Sequence, residues 1–96
     1  MLLTTAIILA AMAMMAIVFW AIINRKNIID WFMRKKHLKN SRDIAFTLKT
    51  KITSGDYEIV EGFFDPCTET IKTGEIIQSK QMDAEIRNQK ELAIYY

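Results

Sequence analysis

Histidine, cysteine, proline and glycine are all scarce, with one, one, one and three residues in a chain of 96. Each shortage removes a class of chemistry. The lone Cys67 has no partner for an internal disulfide, and a tail on the cytosolic side would keep it reduced. The lone His37 stands 30 positions away, so a Cys–His nucleophile pair is not expected. No His, Cys, Asp or Glu spacing resembles a metal site, and Gly55, Gly62 and Gly74 build no phosphate-cradling loop. The expectation is a non-enzymatic protein with no catalytic residue, metal or cofactor.

Charge is missing too, but only locally. Residues 1–23 hold 21 apolar residues and no charged one, against 28 apolar residues in the other 73. Leu2 to Ile23 is interrupted only by Thr4 and Thr5. As one helix it would extend roughly 33 Å, enough for a hydrocarbon core of about 30 Å. The remaining chain is too short to bury such a helix in a core of its own. A cleaved signal peptide would want a basic segment first and small residues last, and neither is present. The run therefore reads as a retained signal-anchor, a transmembrane helix over 1–23.

Orientation follows from the flank. Residues 24–43 carry seven basic and two acidic side chains, a net of +5, and the residues after them sum to −3. A one-sided basic cluster beside a span holds that side in the cytoplasm. The expected location is the cytoplasmic membrane, with the N-terminus outside. Ala6, Ala10 and Ala13 share a face at helical spacing, which reads either as filler or as a packing stripe for a homo-oligomer.

Residues 24–43 form a juxtamembrane amphipathic segment in this reading. Ile28, Ile29, Phe32 and Met33 fall on one side of a helix, and Trp20 and Trp31 bracket the bilayer interface. Arg34, Lys35, Lys36 and Lys39 gather at its far end, either as a topology signal or as ligands for anionic lipid headgroups. Nucleic-acid binding is disfavoured, because aromatic interleaving is lacking. His37 reads as solvated.

From Ile44 the period changes to two. Ile44, Phe46, Leu48 and Ile52 alternate with Ala45, Thr47, Lys49 and Lys51, a half-buried strand with a basic outer side. Ser54-Gly55-Asp56 signals a turn into a second strand over Tyr57–Phe64, which Asp65-Pro66 stops. Thr73-Gly74 signals a turn before a third, near Glu75–Gln81. Ile52–Asp56 and Ile71–Glu75 repeat the pattern Ile-x-[Ser/Thr]-Gly-acid. The predicted fold is thus a single-pass protein with a small α+β cytosolic module: an antiparallel β-meander of about three strands over 44–82 and a helix over 83–96. Asp83 would cap that helix, with Asp83, Arg87 and Glu91 as a charge ladder.

Tyr57, Ile59, Glu61 and Phe63 share one strand face, so Glu61 breaks an otherwise apolar side. An inward charge on an edge strand guards against unwanted pairing. Tyr57, Glu61 and Phe63 are the candidate partner-binding residues, near an exposed strand edge. The expected function is that of a membrane-anchored accessory or scaffolding subunit that binds a partner protein. A membrane-perturbing, holin-like or toxin-like protein is the alternative.

Overall fold

A computed structural model describes residues 2–51 and 56–95. The uncharged N-terminal run does not form one helix. It gives α1 over Leu3–Ala11, turns at Met12–Ala13, and continues as a short strand, β1, over Ile17–Phe19. Among the described residues no helix is long and apolar enough to cross a membrane. The spanning helix over 1–23 is corrected accordingly, and with it the signal-anchor role, the membrane location and the orientation. The physical reason lies in what the run packs against. Ala6 and Ile7 are buried on a sheet, and Ile17, Val18 and Phe19 pair with one of its strands. An apolar stretch has the same local pattern whether it meets lipid or a core.

Next come α2 (Arg25–Lys35), a 3-10 turn over Lys36–Leu38, and the strands β2 (Ile44–Lys51), β3 (Tyr57–Asp65) and β4 (Thr70–Ser79). A single turn of helix, α3 (Ala84–Arg87), leads to β5 (Leu92–Tyr95). The five strands make one mixed sheet in the order β1-β4-β3-β2-β5. β1 runs parallel to β4, and every other pair is antiparallel. Helices cover both sides. On one side α1 sets Ala6 and Ile7 against Phe46, Leu48, Val60 and Phe64. On the other, Ile28, Trp31 and Phe32 of α2 and Ile86 of α3 close over Ala45, Ile59, Phe63 and Ile77.

Burial on both sides alters three expectations. The first is β2, which is not half-buried: Ala45 and Thr47, assigned to its outer side, are as buried as Phe46 and Leu48. The second is the helix over 83–96, which lasts for one turn. Leu92, Ala93, Ile94 and Tyr95 pair instead with Leu48, Thr47, Phe46 and Ala45. A helix over 83–96 has only a thin apolar stripe (Ile86, Ala93, Tyr96), and the open side of β2 offers Leu92–Tyr95 a full ladder. The third is the turn at Thr73-Gly74, which lies inside β4. The chain reverses earlier, at Pro66–Glu69, where Glu69 takes a left-handed φ of 56° and its N–H donates to Asp65 O. Gly74 stands opposite Gly62 on β3. A Cβ on Gly62 would run into the Thr73 carbonyl, and one on Gly74 would sit 2.8 Å from Glu61 O. The Ile52–Asp56 half of the repeat and its turn fall on residues 52–55, outside the described residues.

Candidate functional site

Glu61 occupies the middle of β3, the central strand, on the side covered by α2. Its carboxyl is fully buried, and neither oxygen has a hydrogen-bond partner. Its neighbours across the ladder are Thr47 on β2 and Glu75 on β4. Burial pushes its pKa up to about 9, the Glu75 carboxylate adds to the rise, and Arg34 opposes it. Glu61 is therefore a neutral acid at pH 7. In the same apolar layer Trp31 Nε1–H is also buried without a partner. Trp31 packs on Phe32 and Phe63 at ring separations of 5.2 and 6.0 Å. A proton donor enclosed this way has no route to a substrate while α2 is in place.

Of the other proposed recognition residues, Phe63 is buried beside Glu61 and Tyr57 is half-buried at the start of the strand. The three share a face, as the period of two requires, but that face lies inside the molecule. Ala6, Ala10 and Ala13 do not form a common outward stripe. Ala6 and Ala10 pack toward the sheet, where small side chains let α1 approach closely, and exposed Ala13 lies past the helix end. Arg34 and Lys35 end α2 and Lys36 opens the 3-10 turn, with Lys39 just beyond it. His37 is exposed in that turn. Arg34 also lines a cleft of about 320 Å³ with Phe19, Trp20, Ala21, Asn27 and Asp30.

A surface cavity of about 790 Å³ is lined by Lys49, Thr50, Asp56, Tyr57, Met82, Arg87 and Glu91. Lys49 Nζ is already committed there, donating to the carbonyls of Arg87 and Gln89. A second polar cluster ties the start of β2 to the β3–β4 hairpin. Asp43 Oδ2 accepts from Lys72 Nζ at 3.2 Å, and Asp65 accepts from Cys67 N–H and from Arg42. The Cys67 N–H, and after it the Arg42 guanidinium, hold the Asp65 carboxyl below the usual range. Among the described residues no group of three His, Cys, Asp or Glu could hold a metal.

The outward surface that stands out is apolar. Leu2, Leu3, Leu9, Met12, Met15, Ile17 and Phe19 are between 39% and 90% exposed. At roughly 100 Å² apiece they leave on the order of 700 Å² of apolar surface bare within one short segment of the sequence. α1 carries no charged residue on any side, yet only one side of it meets the sheet, and its cluster includes no residue of β1. Ile17 and Phe19 lie on the α1 side of the sheet, because Ile17 pairs with Ile76 of the α1 cluster. Sequence reasoning placed these residues in a lipid-facing helix and so missed them as a surface. The available signal was Ile17-Val18-Phe19-Trp20, a β-branched and aromatic run following one rich in Ala and Met.

Together these features define a small three-layer α/β domain, sealed on one side of its sheet and unfinished on the other. No family model, curated protein or solved structure matches the chain.

Proposed function

We propose that the chain is a non-enzymatic protein-binding module whose docking surface is the outer side of α1 together with β1. One observation carries this reading. A contiguous stretch of sequence with no charged residue from Leu2 to Ile23 keeps large apolar side chains in water at seven positions. A helix without a charged side is ordinarily enclosed more fully than α1 is, and a second surface would complete it. This moves the accessory role expected from the sequence away from Glu61 and Phe63, which a partner cannot reach without displacing α2, and leaves of the three only the half-buried Tyr57 at the surface.

The test is a photo-reactive side chain placed at Met15 or Phe19, with Lys90 as a control on the exposed C-terminal segment. Irradiation in the native host should give protein adducts of discrete mass from the first two positions and none from the third. Absence of adducts from both Met15 and Phe19 overturns the docking surface.

A further inference from the structure

β1 ends the sheet, and its outer edge carries the backbone groups of two residues. Ala16 O accepts from Ile76 N–H at 2.9 Å, and Trp20 N–H donates to Gln78 O at 3.0 Å. In a parallel ladder residues 16, 18 and 20 then face β4, while the N–H and C=O of Ile17 and Phe19 face away. The side chains of those two residues are exposed as well. Sheets usually guard such an edge with lysine, proline, a bulge or a covering element. Here the lysine and the proline are both missing, since no charged residue or proline occurs between Leu2 and Ile23. The opposite edge differs: β5 follows directly on Lys90 and Glu91.

Resting on the docking reading above, we infer that the occupant is a second copy of this chain, paired antiparallel through β1 about a two-fold axis at Val18. In that register Ile17 of each copy stands opposite Phe19 of the other. Both are outward-facing residues, so each pair exchanges two backbone hydrogen bonds. Each pair also sets an aromatic ring beside a β-branched side chain on the same side, a favourable cross-strand match. The strand is thus complementary to itself, as an isologous contact requires. A two-fold axis brings side chains close to their own counterparts, which a charged segment would resist; this segment has no charge to repel. A stable interface buries ~800 Å² per partner, so the pairing also has to cover exposed residues outside β1, of which Met15 and Met12 are the nearest along the chain.

Sedimentation velocity of the full chain over a range of concentrations tests the pairing. The expected species has twice the chain mass of 11.2 kDa. Phe19→Lys should weaken association at least ~10-fold by placing two charges on the joined edge. Ile17→Pro should act similarly, because it removes an outward N–H and leaves the bonds to β4 alone. An unchanged circular dichroism spectrum shows that each variant folds. If either variant unfolds, the Phe19 photo-adduct of the otherwise unaltered chain gives the same answer by its mass. A dimer untouched by both folded variants overturns the β1 pairing. A monomeric chain that yields adducts of another mass overturns the second copy and leaves the docking surface standing. A monomer without adducts overturns both, and a monomer that floats with phosphatidylcholine vesicles assigns the surface to lipid instead.

Discussion

On the α2 side of the sheet Trp31, Phe32 and Phe63 close over one another with hardly any exposure. On the α1 side Leu9, Met12, Ile17 and Phe19 stay at least half exposed. The difference is one of coverage. α2 has eleven residues and is backed by α3, whereas α1 has nine and ends before it reaches β1. Apolar residues of the same kinds therefore serve two ends. Where a helix covers them they hold the fold together, and where none does they are available for association.

Removing a large side chain from each side breaks or upholds this contrast most sharply. Phe63→Ala opens a cavity among Trp31, Phe32 and Ile59 and should lower unfolding free energy by about 3–5 kcal/mol. Phe19→Ala removes a ring that is 75% exposed and should change monomer stability by no more than about 0.5 kcal/mol. Urea denaturation of both variants at low protein concentration gives the two values directly. Equal losses would mean that β1 is part of the core and that the two sides do not differ.

The sealed side carries a penalty the bare side lacks, because it encloses Glu61. In the folded chain this group keeps its proton up to about pH 9, whereas unfolded it releases the proton near 4.5. Between those values the folded state binds more protons, so the contribution of Glu61 to stability is greatest below pH 4.5 and falls as pH rises toward 9. By pH 7 the loss amounts to about 3 kcal/mol at ~1.4 kcal/mol per unit. Asp65 works oppositely. Its depressed pKa contributes stability above the ordinary value of 3.8 that is lost as pH falls below it. Glu61→Leu should therefore stabilise the protein at pH 7 by about 3 kcal/mol and flatten the decline toward pH 9, leaving the acid limb in place. Urea unfolding at pH 5, 7 and 8.5 measures it. A variant that keeps the alkaline decline shows that another group is responsible.

The same contrast shows which parts of the structure the sequence could reveal. The alternation from Ile44 and the aromatic run from Tyr57 coincide with β2 and β3, since period two survives wherever a strand has distinct sides. What alternation does not say is whether the second side is wet or covered, so Thr47 and Glu61 looked nearer to solvent than they are. The apolar residues of 24–39 do occupy one side of α2, yet Trp31 joins the core and Met33 is exposed, a rotation no spacing argument resolves. Leu2–Ile23 was opaque for another reason: a run apolar throughout has no period to read. The five-stranded order was equally hidden, because β1 and β5 reach the sheet from opposite ends of the described chain through contacts distant in sequence.

A smaller effect tests how tightly the α1 side is packed where it is covered. Gly62 and Gly74 let β3 and β4 lie close beneath Met14 and Ile71. Gly62→Ala forces a methyl group against the Thr73 carbonyl and should destabilise by about 1–3 kcal/mol, typical of overpacking. A thermal melt detects this, and an unchanged midpoint would show that the bare side is loosely packed throughout.

The two helices differ last in how they begin. Asn24 caps α2, its side chain accepting from Asn27 N–H at 2.8 Å, while α1 starts from Leu2 with no side-chain cap. The first N–H groups of a helix have no partner within it, and a side-chain oxygen at the cap satisfies one of them. Asn24→Ala should therefore reduce stability by about 1 kcal/mol. Leu2→Asp should raise it by a few tenths to about 1 kcal/mol, because it supplies both a cap and a negative charge at the positive end of the helix. Leu2 is 77% exposed, so little packing is sacrificed in the exchange. Amide hydrogen exchange along α1 reads the gain as slower opening of its first turn. If exchange there is already as slow as in α2, α1 is held by its docking on the sheet, and the missing cap is no weakness.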